Sequence, residues 1–152
     1  MTKPVWLLPY IARARQWGRI ADAWVAMGVL RRGDIPENPP LFVYGTLKRG
    51  YPLHHWLAGG EDSGSTYLGF AVLRGWTLYS AGRFPLAVPE QGRSIYGEVW
   101  QVHPARYALL DRLEGAYDRV PAVALVRGQP TVVQLYQWRG SASRFQHHGV
   151  NW

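Results

Sequence analysis

The chain has 152 residues, enough for one domain with a substantial hydrophobic core. Apolar residues at 47% and charged residues at 18% exclude a disordered chain, and the absence of cysteine excludes both a disulfide framework and a thiol nucleophile. A formal charge of +7 and a pI of about 10.1 suit anionic partners, yet the cations are scattered and almost all Arg, without the Lys/Arg block of a nucleic-acid tail, so composition accounts for the charge equally well.

The opening stretch, MTKPVWLLPYIARA, has a short apolar run broken by prolines and leading into arginines, which does not fit a signal peptide. No apolar run in the chain approaches the roughly 20 residues of a membrane span, and the cytoplasm is the expected compartment. From Pro9 to Leu30 the pattern is helical, with Tyr10, Trp17 and Trp24 repeating at intervals of seven and Ala14, Ala21 and Gly28 beside them. Leu7, Ile11 and Val25 complete the apolar arc, while Arg15, Arg19 and Asp22 lie elsewhere on the wheel. Such a stripe seeks cover, because burying a large apolar side chain is worth about 1.5–3 kcal/mol. Packing on the chain's own barrel is expected ahead of a homodimer through the Ala14, Ala21, Gly28 edge; a membrane surface is disfavoured because Asp22 interrupts a modest basic face. IPENPP then reads as a stiff linker, making residues 1–40 a helical extension.

Beyond residue 40 the signals are mainly those of β structure. Strands are expected over residues 41–44, 68–73, 76–79, 95–102, 121–127 and 131–138, with a hairpin turn at RGQP. HPARYALLDRLEG reads as one helix over 104–114, with Pro104 at its start and Gly115 as its stop. Many strands with few helices predict an α+β fold, a small, partly closed mixed β-barrel, over residues 41–140, with 141–152 as a C-terminal tail.

Glu114 shares a helical face with Tyr107 and Leu110 and ends that helix one turn after Asp111. Partial burial, the negative helix terminus and a like charge would each raise its pKa towards that of a general base; a solvated Glu at a frayed end is the alternative. YGTLKRG, residues 44–50, places backbone N–H groups after a strand, a common anion cradle, although the glycine spacing of a P-loop is absent and a tight turn with solvated Lys48 and Arg49 is the competing reading. Glu98 could be a second carboxylate or the partner of a cross-strand Arg. The adjacent pairs His54-His55 and His147-His148 do not converge on one ion in regular structure, and no metal site is expected.

FVYGTLKRG, FPLAV, YGEVWQV, LLDRLEGAYDR and VVQLYQW, in this order over residues 41–138, resemble the gamma-glutamylcyclotransferase-like family, in particular its gamma-glutamylamine cyclotransferase branch. The resemblance implies a small mixed barrel in which the loop Tyr44, Gly45, Thr46, Leu47 binds the substrate's glutamyl end through backbone amides. It implies Glu114 as the catalytic acid/base, with Tyr117, Arg119 and Tyr136 in matching binding positions. Leu53 departs from the Asn usual before the His, which bears on loop geometry or substrate preference.

The activity implied is attack of a γ-glutamyl substrate's α-amine on its own γ-carbonyl, releasing 5-oxoproline and an amine, with no cofactor and no metal. Two other readings stand beside it. One is removal of a γ-glutamyl protecting group from a biosynthetic intermediate. The other is a non-enzymatic binder of an anionic partner, with nucleic acid disfavoured because a pure binder has no use for a buried base.

Overall fold

In the computed structural model the described residues are 26, 38–45, 48 and 65–152. The expected N-terminal helix and its packing fall outside them, apart from Ala26, which is helical and exposed. The strands are β1 (Leu41–Val43), β2 (Thr66–Ser80), β3 (Pro85–Gln101), β4 (Tyr117–Val126), β5 (Gln129–Trp138) and β6 (Gln146–Gly149). Between β3 and β4 a 3-10 turn, Pro104–Arg106, leads into the helix α1, Tyr107–Leu113.

The strands form one six-stranded sheet in the order β3-β1-β5-β4-β2-β6, and a further β3–β2 pairing closes β3, β1, β5, β4 and β2 into a ring. All pairings are antiparallel except β1 with β5, which run parallel at Leu41 and Gln134. Closing so few strands demands strong local bending. β2 bends at two irregularities against β3, one between Tyr67 and Gly69 and one between Arg74 and Trp76. The second contains Gly75 at φ 85°, which is why the sequence there reads as two strands although the ladder resumes beyond it. The turn at RGQP is a two-residue connection, with Arg127 at φ 51° and Gly128 at φ 79°, the mirror-image geometry that suits strand twist.

Strand alternation separates two cores. Phe42, Leu73, Ile95, Val99, Val133 and Leu135 fill the main one, whereas Leu41, Val43, Trp100, Val102 and Tyr136 meet Tyr107 and Leu110 of α1 in a second. Burying that Tyr107–Leu110 stripe seats the C-terminal end of α1 beside β5 and β1. The linker's end is stitched to the barrel: Asn38 Nδ2 donates to Val102 O (2.8 Å), and Gln134 donates through Nε2 to Pro39 O (2.7 Å) and through its backbone N–H to Pro40 O (2.8 Å).

Residues 141–152, expected as a tail, carry β6, which pairs with the far end of β2. Tyr96 N–H donates to Val150 O (2.8 Å), and Trp152 packs against the main core. Among the described residues, no helix is long and apolar enough to cross a membrane.

Candidate active site

The end of α1 is pinned on both sides of Glu114. Its N–H donates to Leu110 O (2.8 Å), its carbonyl accepts from Tyr117 N–H (2.9 Å), and its backbone at φ −98°, ψ 41° turns the chain into β4. The helix proper stops at Leu113, one residue short of the expected boundary, so Glu114 is its cap. Burial pushes the Glu114 carboxyl up to about 7. Of the three causes expected from sequence, burial accounts for the shift. Asp111 is committed elsewhere: its Oδ1 accepts from Tyr136 Oη (2.8 Å) and faces Arg119 Nη1 at 3.4 Å.

Glu114 borders a cavity of about 380 Å³, within the range of small-molecule sites. Tyr44 and Gly45 enter its wall from the end of β1, Pro85 from the start of β3, Tyr117 from the start of β4, and Tyr136 from β5. Gly45 must lack a side chain there, because a Cβ would come within 2.6 Å of Pro85 Cγ. Among the described lining residues Glu114 is the one carboxyl, and none is Lys, Arg or His.

Three phenols share this wall. Tyr44 Oη donates a short hydrogen bond to the Tyr136 carbonyl, Tyr117 Oη donates to Pro85 O (2.8 Å), and Tyr136 Oη donates to Asp111. All three are held neutral: burial raises each pKa above the ordinary tyrosine value, aided by Tyr117 and Glu114 at Tyr44, by Glu114 at Tyr117, and by Asp111 at Tyr136. Each hydroxyl hydrogen is therefore spent on a protein acceptor, and what each oxygen retains is the capacity to accept. The Tyr44 and Tyr117 hydroxyls both feel the Glu114 charge, whereas the Tyr136 hydroxyl is engaged by Asp111 near the Arg119 cation, so two phenol oxygens accompany the carboxyl.

The structure thus brings together five of the residues expected from sequence: Tyr44, Gly45, Glu114, Tyr117 and Tyr136. Arg119 lies behind the wall, not in it. Its guanidinium is buried 3.8 Å above the Tyr107 ring and pairs with Asp111. Thr46, Leu47, Arg49, Leu53, His54 and His55 lie outside the described residues.

Lys48, expected to be solvated, is buried; its Nζ donates to Asn151 Oδ1 (3.3 Å), and burial lowers its pKa while Glu98 opposes the shift. Glu98 is not in the cavity wall and accepts from Trp100 Nε1 (3.3 Å). His147 Nε2 bonds Thr77 Oγ1 (2.8 Å) and His148 Nε2 bonds Asn151 O (2.9 Å), so the two rings engage different partners. No group of three or more His, Cys, Asp or Glu among the described residues could hold a metal ion. Sequence reasoning read Asp111 only as a like charge near Glu114, not as the acceptor that ties Tyr136 to Arg119, and gave no role to Phe84 and Leu113, which also line the cavity. All three lie within stretches that carry the family resemblance, but nothing in their spacing sets them apart.

A closed small barrel with a partly buried, near-neutral carboxyl at the end of the helix α1 defines a compact α+β protein with an acid/base pocket. Residues 41–152 match the family described as gamma-glutamyl cyclotransferase, AIG2-like, and the chain belongs to that family. It is similar to a Drosophila melanogaster candidate gamma-glutamylcyclotransferase, 39% identical over 102 residues, which span 60% of this chain and 64% of that one. It is also similar to the Bos taurus gamma-glutamylaminecyclotransferase, 36% identical over 84 residues, spanning 52% of this chain and 50% of the relative. The matched region is thus about half to two-thirds of the length of these curated relatives. In fold, the crystal structure of an AIG2-like protein from Mus musculus superposes with a TM-score of 0.63 at 23% identity, over 72% of this chain and 85% of that one.

Proposed function

We propose that the protein is a γ-glutamyl cyclotransferase that cleaves a γ-glutamyl amide by internal attack of its α-amine and releases 5-oxoproline with a free amine. The observation that carries this reading is Glu114, a carboxyl brought close to neutrality by burial and set in a small cavity among three neutral phenols. The substrate's α-ammonium meets the Glu114 carboxylate and the phenol oxygens. Glu114 takes one proton, and the freed amine closes a five-membered ring on the γ-carbonyl. As the amide C–N bond breaks, the same carboxyl returns the proton to the departing nitrogen, and the second proton of the ring nitrogen passes to the released amine, which leaves as an ammonium beside the neutral lactam. A group with a pKa near 7 is suited to both transfers. Because the attack is intramolecular, the remaining task is to hold the reactive rotamer.

The α-carboxylate needs donors, and the described side chains of the wall supply none. Backbone amides of residues 45–47 are assigned that role; Gly45 stands in the wall, and Lys48 N–H donates to Gly45 O (3.0 Å). Arg119 acts here from behind, as a positioning residue for Asp111 and Tyr136.

Incubating the purified chain with γ-glutamyl amides and detecting 5-oxoproline by mass spectrometry tests the reading. Glu114→Gln preserves shape and removes the base, and should lower the rate by about 10²–10⁴-fold. In the wild type kcat/KM should rise with pH through an apparent pKa near 7, because the base must be ionised to accept the proton. A folded Glu114→Gln protein with undiminished turnover would refute the assignment.

A further inference from the structure

Five large hydrophobic residues stand out as exposed among the described residues, and two of them, Phe84 at 51% and Leu113 at 39%, line the same cavity as Glu114. They arrive from unrelated elements. Phe84 sits in the turn between β2 and β3, where Ala81 N–H donates to its carbonyl (2.9 Å), and Leu113 is the last residue of α1. Trp138, at the end of β5, joins them as a lining residue, its Nε1 donating to Ser141 O (3.3 Å) and its ring packed edge-on against Tyr117 and Phe145. Three hydrocarbon surfaces of independent origin converge on one opening, two of them substantially in water. A ligand group that covers them recovers apolar burial the protein leaves unmade.

The charge balance of the same wall points the same way. Glu114 is the one carboxyl among the described lining residues, none of which is Lys, Arg or His, and the cyclisation employs that carboxyl at the α-amine. A carboxylate or ammonium lying on Phe84, Leu113 and Trp138 would rest against hydrocarbon, with no charged side chain other than Glu114 among the described lining residues, an unfavourable position for a charge.

Resting on the cyclisation reading above, we infer that the leaving amine is hydrophobic and carries no further charge, an alkyl or arylalkyl amine whose hydrocarbon part lies against Phe84, Leu113 and Trp138. A γ-linked amino acid or dipeptide is selected against.

The test compares kcat/KM of the full chain for the γ-glutamyl amides of methylamine, n-hexylamine and benzylamine with those of glycine and of the lysine ε-amine. Several methylenes or a ring in an apolar pocket should favour the hexyl and benzyl amides over the methyl amide and over both charged compounds by about tenfold or more. Phe84→Ala and Leu113→Ala should each reduce the hexyl-to-methyl ratio, a quantity from which any loss of active protein cancels. Equal or faster turnover of the glycine or lysine compounds overturns the amine class while leaving the cyclotransferase reading intact. So do ratios that neither substitution moves. No 5-oxoproline from any of the five amides overturns the cyclotransferase reading itself, and the amine class falls with it.

Discussion

Glu114 is held in the folded protein with a pKa raised from 4.5 to about 7, and this has a consequence for stability as well as for rate. Between these values the native state binds more protons than the unfolded chain, so stability falls as pH rises through that window. The cost of carrying the ionised carboxyl above pH 7 is on the order of 3 kcal/mol. Glu114→Gln should therefore unfold at higher denaturant than the wild type at pH 8, and the gap should close by about pH 4; a gap independent of pH would show that burial is not what shifts this group. Asp111 supports a different prediction. It is the acceptor for Tyr136 and the ion-pair partner of a buried Arg119, so Asp111→Ala leaves both without it. Removing one member of such a pair should lower stability by about 3 kcal/mol, measured by urea unfolding. A change below about 1 kcal/mol would mean that Arg119 draws its support elsewhere.

The closure of the ring is decided strand by strand. Gly97 of β3 faces the end of β1, and a Cβ there would collide with the Val43 carbonyl and come within 2.6 Å of Phe42 Cζ. Backbone cannot yield as a flexible side chain can. Gly97→Ala should therefore destabilise the protein by about 1–3 kcal/mol, through overpacking of the β1–β3 seam that also positions Tyr44. Thermal denaturation measures the loss, and a neutral result would imply that β1 can shift without opening the barrel. Element types were largely legible from sequence. A continuous apolar run announced β1, strand-forming apolar and aromatic residues between turn signals announced the second half of β3 and β5, and the Tyr107–Leu110 spacing with Gly115 announced α1. Element lengths were less legible, because Gly75 and Gly92 read as breaks, whereas in a tightly curved hairpin a glycine at positive φ lets one strand continue through a bend. The first part of β3, with Pro85 and Pro89 in it, was missed for the same kind of reason: proline reads as a strand breaker, yet both residues lie in the β2–β3 register.

At the level of the whole molecule, the last twelve residues belong to the fold. β6 extends the sheet beyond the ring on β2, and Trp152 covers the main core. Trp152→Ala should lower stability by about 2 kcal/mol, the worth of a largely covered large side chain, and an unchanged melting temperature would assign that cover to other groups. The sequence by itself determined that strands dominate residues 41–138, that one helix ends at an acidic residue, and that a glycine-bearing turn follows the first strand. These are local matters, written in alternation, helical spacing and turn chemistry within a few residues of each other. Tertiary structure decided what those pieces meet. Ring closure sets Tyr44, Pro85, Glu114, Tyr117 and Tyr136, spread over nearly the whole barrel sequence, around one cavity, and directs Asp111 to Arg119 and Tyr136 instead of to Glu114. Burial depends on which distant segments cover a group, and no periodicity along the chain encodes that; the raised carboxyl of Glu114 follows from desolvation by residues up to about seventy positions away.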